Sequence, residues 1–286
     1  MSTLSRRVIF SVIAAPLSIG LAWVGGAWWA TLLGVAAAIG AWELFRIARA
    51  GGVAPLGLVG IPFAALIPLL THWTFTGAID VPVSVAVVAA LAVLAMAVFA
   101  RSAHERPLAA AAVTVFGVLY TGGTLAFAYA LRYDAHVIGA GAGTALVILP
   151  VWLTWSSDTG AFLVGRAFGK RKLIPSVSPS KTVAGAIGSL VICVLMTFVY
   201  VRIVLRPSAE LTMTPLGMVI FGLVVSVAAQ VGDLAESLLK REAGVKDSSR
   251  LIPGHGGILD RLDAMFFTLP VGFVLLQWLL IAAPAP

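Results

Sequence analysis

Apolar residues fill most of this chain in long runs, and short polar stretches separate them. A helix rises 1.5 Å per residue, so about 20 apolar residues cross a hydrocarbon core of about 30 Å. Nine runs meet that length, at approximately 8–24, 27–46, 54–72, 81–100, 108–131, 138–158, 183–204, 215–233 and 264–282. Only Gly25-Gly26 divides the first two, and the sixth ends in polar residues. The pattern predicts an all-α protein, a polytopic transmembrane helical bundle of about nine spans. Arg6-Arg7 followed by an apolar run from Val8 has the look of a signal peptide. The run continues to Val24 without a convincing cleavage site, so it reads as an uncleaved first span.

Composition agrees: 60% of the 286 residues are hydrophobic and 11% charged, outside the range of soluble globular domains. The net charge of +7 does not require a nucleic-acid partner, because Lys and Arg gather in cytoplasmic loops of membrane proteins. With the N-terminus inside and the spans alternating, 16 of the 19 basic residues fall on the cytoplasmic side, leaving Arg132, Arg202 and Arg206 outside. That asymmetry predicts an N-in, C-out orientation. The single cysteine, Cys193, excludes an internal disulfide and a Cys-based metal cluster, and its apolar surroundings predict a buried thiol.

Charge is unevenly spread. Residues 233–263 hold five Lys/Arg and six Asp/Glu, 11 of the chain's 31 charges. A charge at a bilayer centre costs about 2.5–3.5 kcal/mol on insertion scales, and a topogenic loop would be mostly basic, so this mixture points to chemistry. If the eighth span continues as a helix, Asp233, Glu236, Ser237 and Lys240 share one face within an arc of about 100°. An i,i+4 surface pair, Glu236/Lys240, would look similar. After Lys246-Asp247 come Pro253-Gly254-His255-Gly256-Gly257, whose glycines allow close backbone approach to a ligand. On a helix opening at Ile258, Asp260 and Asp263 lie about 60° apart. These two acids, with Asp233 from another helix, suit a hard divalent cation such as Mg²⁺, which takes oxygen ligands, waters and substrate phosphates. His255 has no second His or Cys nearby for zinc; it reads as a turn-stabilising hydrogen-bonder or a phosphate contact.

A second polar segment, 158–182, precedes the seventh span. Asp158 reads as a solvated helix cap or as a substrate or metal contact. Gly165 to Lys170 imitates a P-loop but is one residue short, and Arg171 stands where the magnesium-binding hydroxyl belongs. Arg166 and Lys170 still suit phosphate, or simply anchor the topology, as Arg171 and Lys172 do. Ser180 or Thr182 can cap the next helix, and a helix start beside Lys181 favours an anion.

Together these residues carry a resemblance. Ser237-x-x-Lys240-Arg241-x4-Lys246-Asp247, then Pro253-x-His255-Gly256-Gly257-x-x-Asp260-Arg261-x-Asp263, resembles the signature of the phosphatidate cytidylyltransferases, also called CDP-diacylglycerol synthases, without departure. Asp158-Thr159, Gly165-Arg166, Phe168-Gly169-Lys170 and Ser178-Pro179-x-Lys181-Thr182 are similar to the family as well. One position departs: the family usually has Glu before the glycine of Gly185, and here Ala184 stands there, so that spot has no acidic role.

The resemblance implies the reaction of CTP with phosphatidate to give CDP-diacylglycerol and pyrophosphate. For that reaction Asp233 and Asp260 are the expected Mg²⁺ ligands, with Asp263 coordinating the ion or lying just behind them, and a second, monovalent cation is left open. Lys181, Lys240, Arg241, Lys246 and Arg261 would hold triphosphate and lipid phosphate. Asp158, Arg166, Lys170, Ser178, Thr182, Ser237, Asp247, His255, Gly256 and Gly257 would line the substrates. The resemblance also implies a homodimer. The charge-derived topology puts both polar segments inside, where CTP is, so the expected place is the cytoplasmic (inner) membrane of a bacterium, among its lipids, with the site facing the cytoplasm. The expected organisation is an N-terminal transmembrane region, 1–150, for packing, and a catalytic region, 151–286, with cytoplasmic segments 158–182 and 233–263. The alternatives are a CTP-dependent polyprenol or phytol kinase, distinguished by its products, and a transporter, which would place polar residues near mid-membrane.

Overall fold

The structure, a computed structural model, describes residues 3–251 and 256–283, with side chains from Val12 onward. Nine helices account for most of the described residues. They are α1 (Thr3–Val24), α2 (Gly26–Ala50), α3 (Gly57–Phe75), α4 (Val83–Ala100), α5 (Pro107–Arg132), α6 (Gly139–Phe168), α7 (Val183–Ala209), α8 (Pro215–Glu242) and α9 (Leu259–Leu279). A π-helical turn widens α5 at Leu119–Gly123 and another widens α7 at Val201–Leu205. The hairpin of β1 (Lys172–Ile174) and β2 (Ser178–Thr182) precedes α7, and β3 (Leu211–Thr212) pairs with β4 (Ile281–Ala282). Eight helices, α2 to α9, are long and apolar enough to cross a membrane. The ninth expected span, 8–24, falls on α1, whose described apolar part is Val12–Val24. The protein is an all-α polytopic membrane protein.

The sixth span does not stop where Ser156, Ser157 and Asp158 turn the sequence polar. Ser156 and Thr159 donate their hydroxyls to Trp152 O and Trp155 O, at 2.8 Å each. Satisfied within the helix in this way, they give it no reason to end, and α6 runs on to Phe168.

Packing divides the chain into two compact units. The first comprises residues 1–129 and 239–262. Its core gathers on Phe45, fully buried on α2. Gly60 on α3 and Gly117 on α5 both face that ring; a Cβ at Gly60 would lie 2.6 Å from Phe45 Cε2. Small residues here let the helices approach closely, as membrane interfaces require. Thr114, also buried, donates to Ala110 O at 2.7 Å and accepts from Leu56 N at 2.8 Å, which ties the start of α3 to α5. α4 buries Val93 and Ala97 against Leu56 and Ala111. Its remaining face, with Val83, Val98 and Phe99 exposed, suits lipid.

The second unit comprises residues 130–238 and 263–286. Here α6 and α7 cross on glycines: a Cβ at Gly185 would lie 2.7 Å from Ala161 O, and one at Gly160 2.9 Å from Ile192 Cβ. A buried hydroxyl ladder crosses three helices. Ser157 Oγ meets Ser189 Oγ at 2.6 Å, Ser189 Oγ meets Ser226 Oγ at 2.8 Å, and Gln230 Nε2 donates to both Ser189 and Ser226 at 3.3 Å. Such interhelical bonds are worth about 0.6 kcal/mol each on average. Cys193 is buried as expected, its thiol donating to Leu153 O.

Candidate active site

In the second unit the β1–β2 hairpin runs directly into α7. Thr182 is the N-cap, its Oγ1 accepting from Gly185 N at 3.1 Å, so of the two candidate caps the structure uses Thr182. Lys181, held on the hairpin one residue earlier, places Nζ 2.6 Å from Asp233 Oδ2 on α8. One turn on, the Ser237 hydroxyl donates to Asp233 Oδ1 at 3.4 Å. Gly232 makes room beside Asp233: a Cβ there would lie 2.8 Å from Asp263 O. α9 is interrupted at Asp263-Ala264, and the Asp263 carboxylate accepts from Ala264 N at 2.7 Å. Lys181, Asp233, Ser237 and the backbone of Asp263 therefore share one neighbourhood. The Lys181–Asp233 pair, with side chains 24% and 33% exposed, sits where water still reaches.

The first unit holds a second, drier lysine–aspartate pair. α8 ends at Glu242, and Gly244, at φ +67°, reverses the chain. Gly244 N donates to Arg241 O at 3.1 Å and Val245 N to Lys240 O at 2.9 Å. This is the Schellman ending, which needs a left-handed residue that glycine adopts without strain. Lys240 Nζ lies 2.7 Å from Asp260 Oδ1, the side chains only 12% and 7% exposed. Asp260 Oδ2 accepts from Ser248 N at 3.0 Å, Ser248 Oγ at 2.7 Å and Gly257 N at 2.8 Å. Four donors on one carboxylate keep it ionised and gather the loop around it.

Behind that loop stands Glu43 of α2, fully buried. Its carboxylate accepts from Leu259 N at 2.6 Å, Ile258 N at 3.2 Å, Ser248 Oγ at 3.1 Å and the Ser249 hydroxyl. Gly257 packs so tightly against Glu43 Oε1 and Ser248 Oγ that a Cβ has no space. Sequence reasoning passed over Glu43, Ser248 and Ser249. The signal available was one acid in an otherwise apolar turn, Trp42-Glu43-Leu44-Phe45, since a charge in a span needs a stated purpose.

The remaining predicted residues are placed as follows. Asp158 and Arg166 are exposed on α6, and Lys170 follows its end. Ser178 opens β2, its hydroxyl 3.5 Å from that of Ser180. Arg241, Lys246, Asp247 and Arg261 are exposed, and Arg241 donates to Val245 O at 3.3 Å. Gly256, at φ +83°, faces the Asp260 carboxylate. His255 lies outside the described residues. Among the described residues no three His, Cys, Asp or Glu side chains converge into a ready metal cage.

The sequence from residue 5 to 279 matches the cytidylyltransferase family. The chain belongs to this family. It is similar to the phosphatidate cytidylyltransferase of Bacillus subtilis, 30% identical over 278 residues that make up 96% of this chain and 98% of that protein. It is also similar to the chloroplastic phosphatidate cytidylyltransferase 5 of Arabidopsis thaliana, 36% identical over 93% of this chain and 70% of that protein. A stretch covering 49% of this chain is 41% identical to 48% of the phosphatidate cytidylyltransferase of Haemophilus influenzae.

Proposed function

We propose that this protein is a phosphatidate cytidylyltransferase, which transfers CMP from CTP to phosphatidate and releases pyrophosphate. The observation that carries the reading is family membership over almost the whole chain, and two lysine–aspartate pairs in its polar segments support it. An oxygen of the lipid phosphate attacks the α-phosphorus of CTP, and the bond from that phosphorus to the β-phosphate oxygen breaks. The nucleophile is already ionised near neutral pH, so no general base is required. Both reactants are anionic, so the protein's task is positioning and charge neutralisation. Lys181, Lys240, Arg241, Lys246 and Arg261 supply the positive charge; the exposed ones reach the phosphates, while Lys181 and Lys240 are oriented by their aspartates.

Asp233, Asp260 and Asp263 are the carboxylates proposed to hold Mg²⁺. What supports this is ligand chemistry: Mg²⁺ takes hard oxygen ligands such as carboxylates, and Asp233 and Asp260 are each placed against a positive charge, a lysine ammonium. Mg²⁺ bound by one or two carboxylates takes its remaining ligands from water and substrate phosphates. When bound, the ion would neutralise charge on the nucleotide phosphates. The distribution of basic residues supports a site on the cytoplasmic side, where CTP is available, and the bacterial relatives support a bacterial inner membrane.

The test is turnover by the purified protein in detergent with CTP, phosphatidate and Mg²⁺. CDP-diacylglycerol and pyrophosphate are expected in equal amounts, and EDTA should stop both. CDP with a phosphorylated lipid, when dolichol or phytol is supplied, would make the protein a lipid kinase instead. Folded protein without turnover would refute the enzyme reading. Gly257→Ala should also lower activity, because the new methyl meets Glu43 and Ser248. Overpacking of that kind costs about 1–3 kcal/mol, which a thermal denaturation curve beside the activity assay will register.

A further inference from the structure

We infer that Glu43 is a positioning residue of the cytidylyltransferase site: its buried carboxylate, on a helix of the N-terminal half, holds Ser248, Ser249, Ile258 and Leu259 in their working conformation. Glu43 lies in the last two turns of α2, more than 200 residues from the loop it binds. It is fully buried between Trp42 and Leu44. A dehydrated carboxylate persists only where donors replace its water, and the donors here all come from one stretch of chain: Ser248, Ser249, Ile258 and Leu259.

Between Lys246 and Leu259 four described N–H groups turn to two carboxylates. Ser248 N and Gly257 N go to Asp260, and Ile258 N and Leu259 N go to Glu43. The Ser248 hydroxyl lies between them, 2.7 Å from Asp260 Oδ2 and 3.1 Å from Glu43 Oε2. It has one proton, so the two acids are coupled through a single donor. Asp260 is thereby fixed from one side by Lys240 and from the other by a loop that Glu43 pins. Gln at position 43 keeps the shape but not the chemistry. It offers one acceptor oxygen and turns an NH₂ group toward hydrogens that previously found a carboxylate.

The activity arm of the test rests on the cytidylyltransferase reading; the exchange arm does not. In Glu43→Gln, amide hydrogen exchange at Ser248, Gly257, Ile258 and Leu259 should accelerate, while α3 and α5 keep wild-type protection. The CTP KM should rise by about 10–100-fold, the usual effect of removing a residue that orients a site. A misfolded fraction would lower kcat but leave KM alone, so the KM change distinguishes positioning from loss of active protein. Ser249→Ala, which removes one donor and leaves the acid, should move both readouts the same way by less, and it serves if Glu43→Gln fails to fold. Unchanged exchange at those four amides, or protection lost evenly across α2, α3 and α5, would overturn the inference. Wild-type protein that makes no CDP-diacylglycerol would refute the proposed function, and exchange alone would then decide the role of Glu43.

Discussion

Asp260→Asn is expected to lose both stability and catalysis. The carboxylate accepts from Lys240, twice from Ser248, and from Gly257. Asn keeps one acceptor oxygen and presents an NH₂ to a ring of donors. Lys240, with a side chain 12% exposed, would keep its charge without its counterion. Removing one partner of a buried pair costs about 3–5 kcal/mol, enough to lower the thermal midpoint in detergent clearly. Turnover should fall by about 10²–10³-fold, the range for losing one preorganised electrostatic contact in a site. The double variant Lys240→Met/Asp260→Asn separates the two effects. Removing both charges should recover part of the lost stability, because no ion remains stranded. Activity should stay lost. A double variant that regains wild-type turnover would reduce Asp260 to a structural counterion.

The spans were readable from hydropathy because a membrane asks little more of a helix than length and apolarity, and each expected run falls on a helix. Boundaries were less readable. Polarity at Ser156–Asp158 suggested an end, but hydroxyls that bond back to their own helix carry no stop signal, and α6 passes them. The candidate site was readable as composition rather than as pairing. The sequence placed acids and bases together at 158–182 and 233–263, but several acids compete for each base. Only tertiary position assigns Lys181 to Asp233 and Lys240 to Asp260. Glu43 marks where periodicity gives out. A helical pattern tells which residues share a face; it does not tell that a lone acid on α2 meets loop amides more than 200 residues later.

Asp233→Asn should separate what Asp260→Asn combines. Its salt bridge to Lys181 is 24% and 33% exposed, where water screens the pair. Such a contact adds about 0.2–1 kcal/mol at most, so the thermal midpoint should scarcely move. Catalysis should nevertheless fall by about 10²–10³-fold if Asp233 serves charge placement on the phosphates. The Mg²⁺ concentration for half-maximal rate should rise, because a neutral amide is a poorer ligand for a hard cation than a carboxylate. EDTA should abolish turnover by the wild type, and added Mg²⁺ should restore it. Titrating Mg²⁺ at saturating CTP and phosphatidate checks this directly. An unchanged Mg²⁺ requirement in Asp233→Asn would remove Asp233 from the metal site and leave it as the partner that orients Lys181. The contrast between the pairs follows from burial. The drier pair holds a loop together, so its loss unfolds and inactivates at once. The wetter pair contributes little to folding, so its loss reports on chemistry alone.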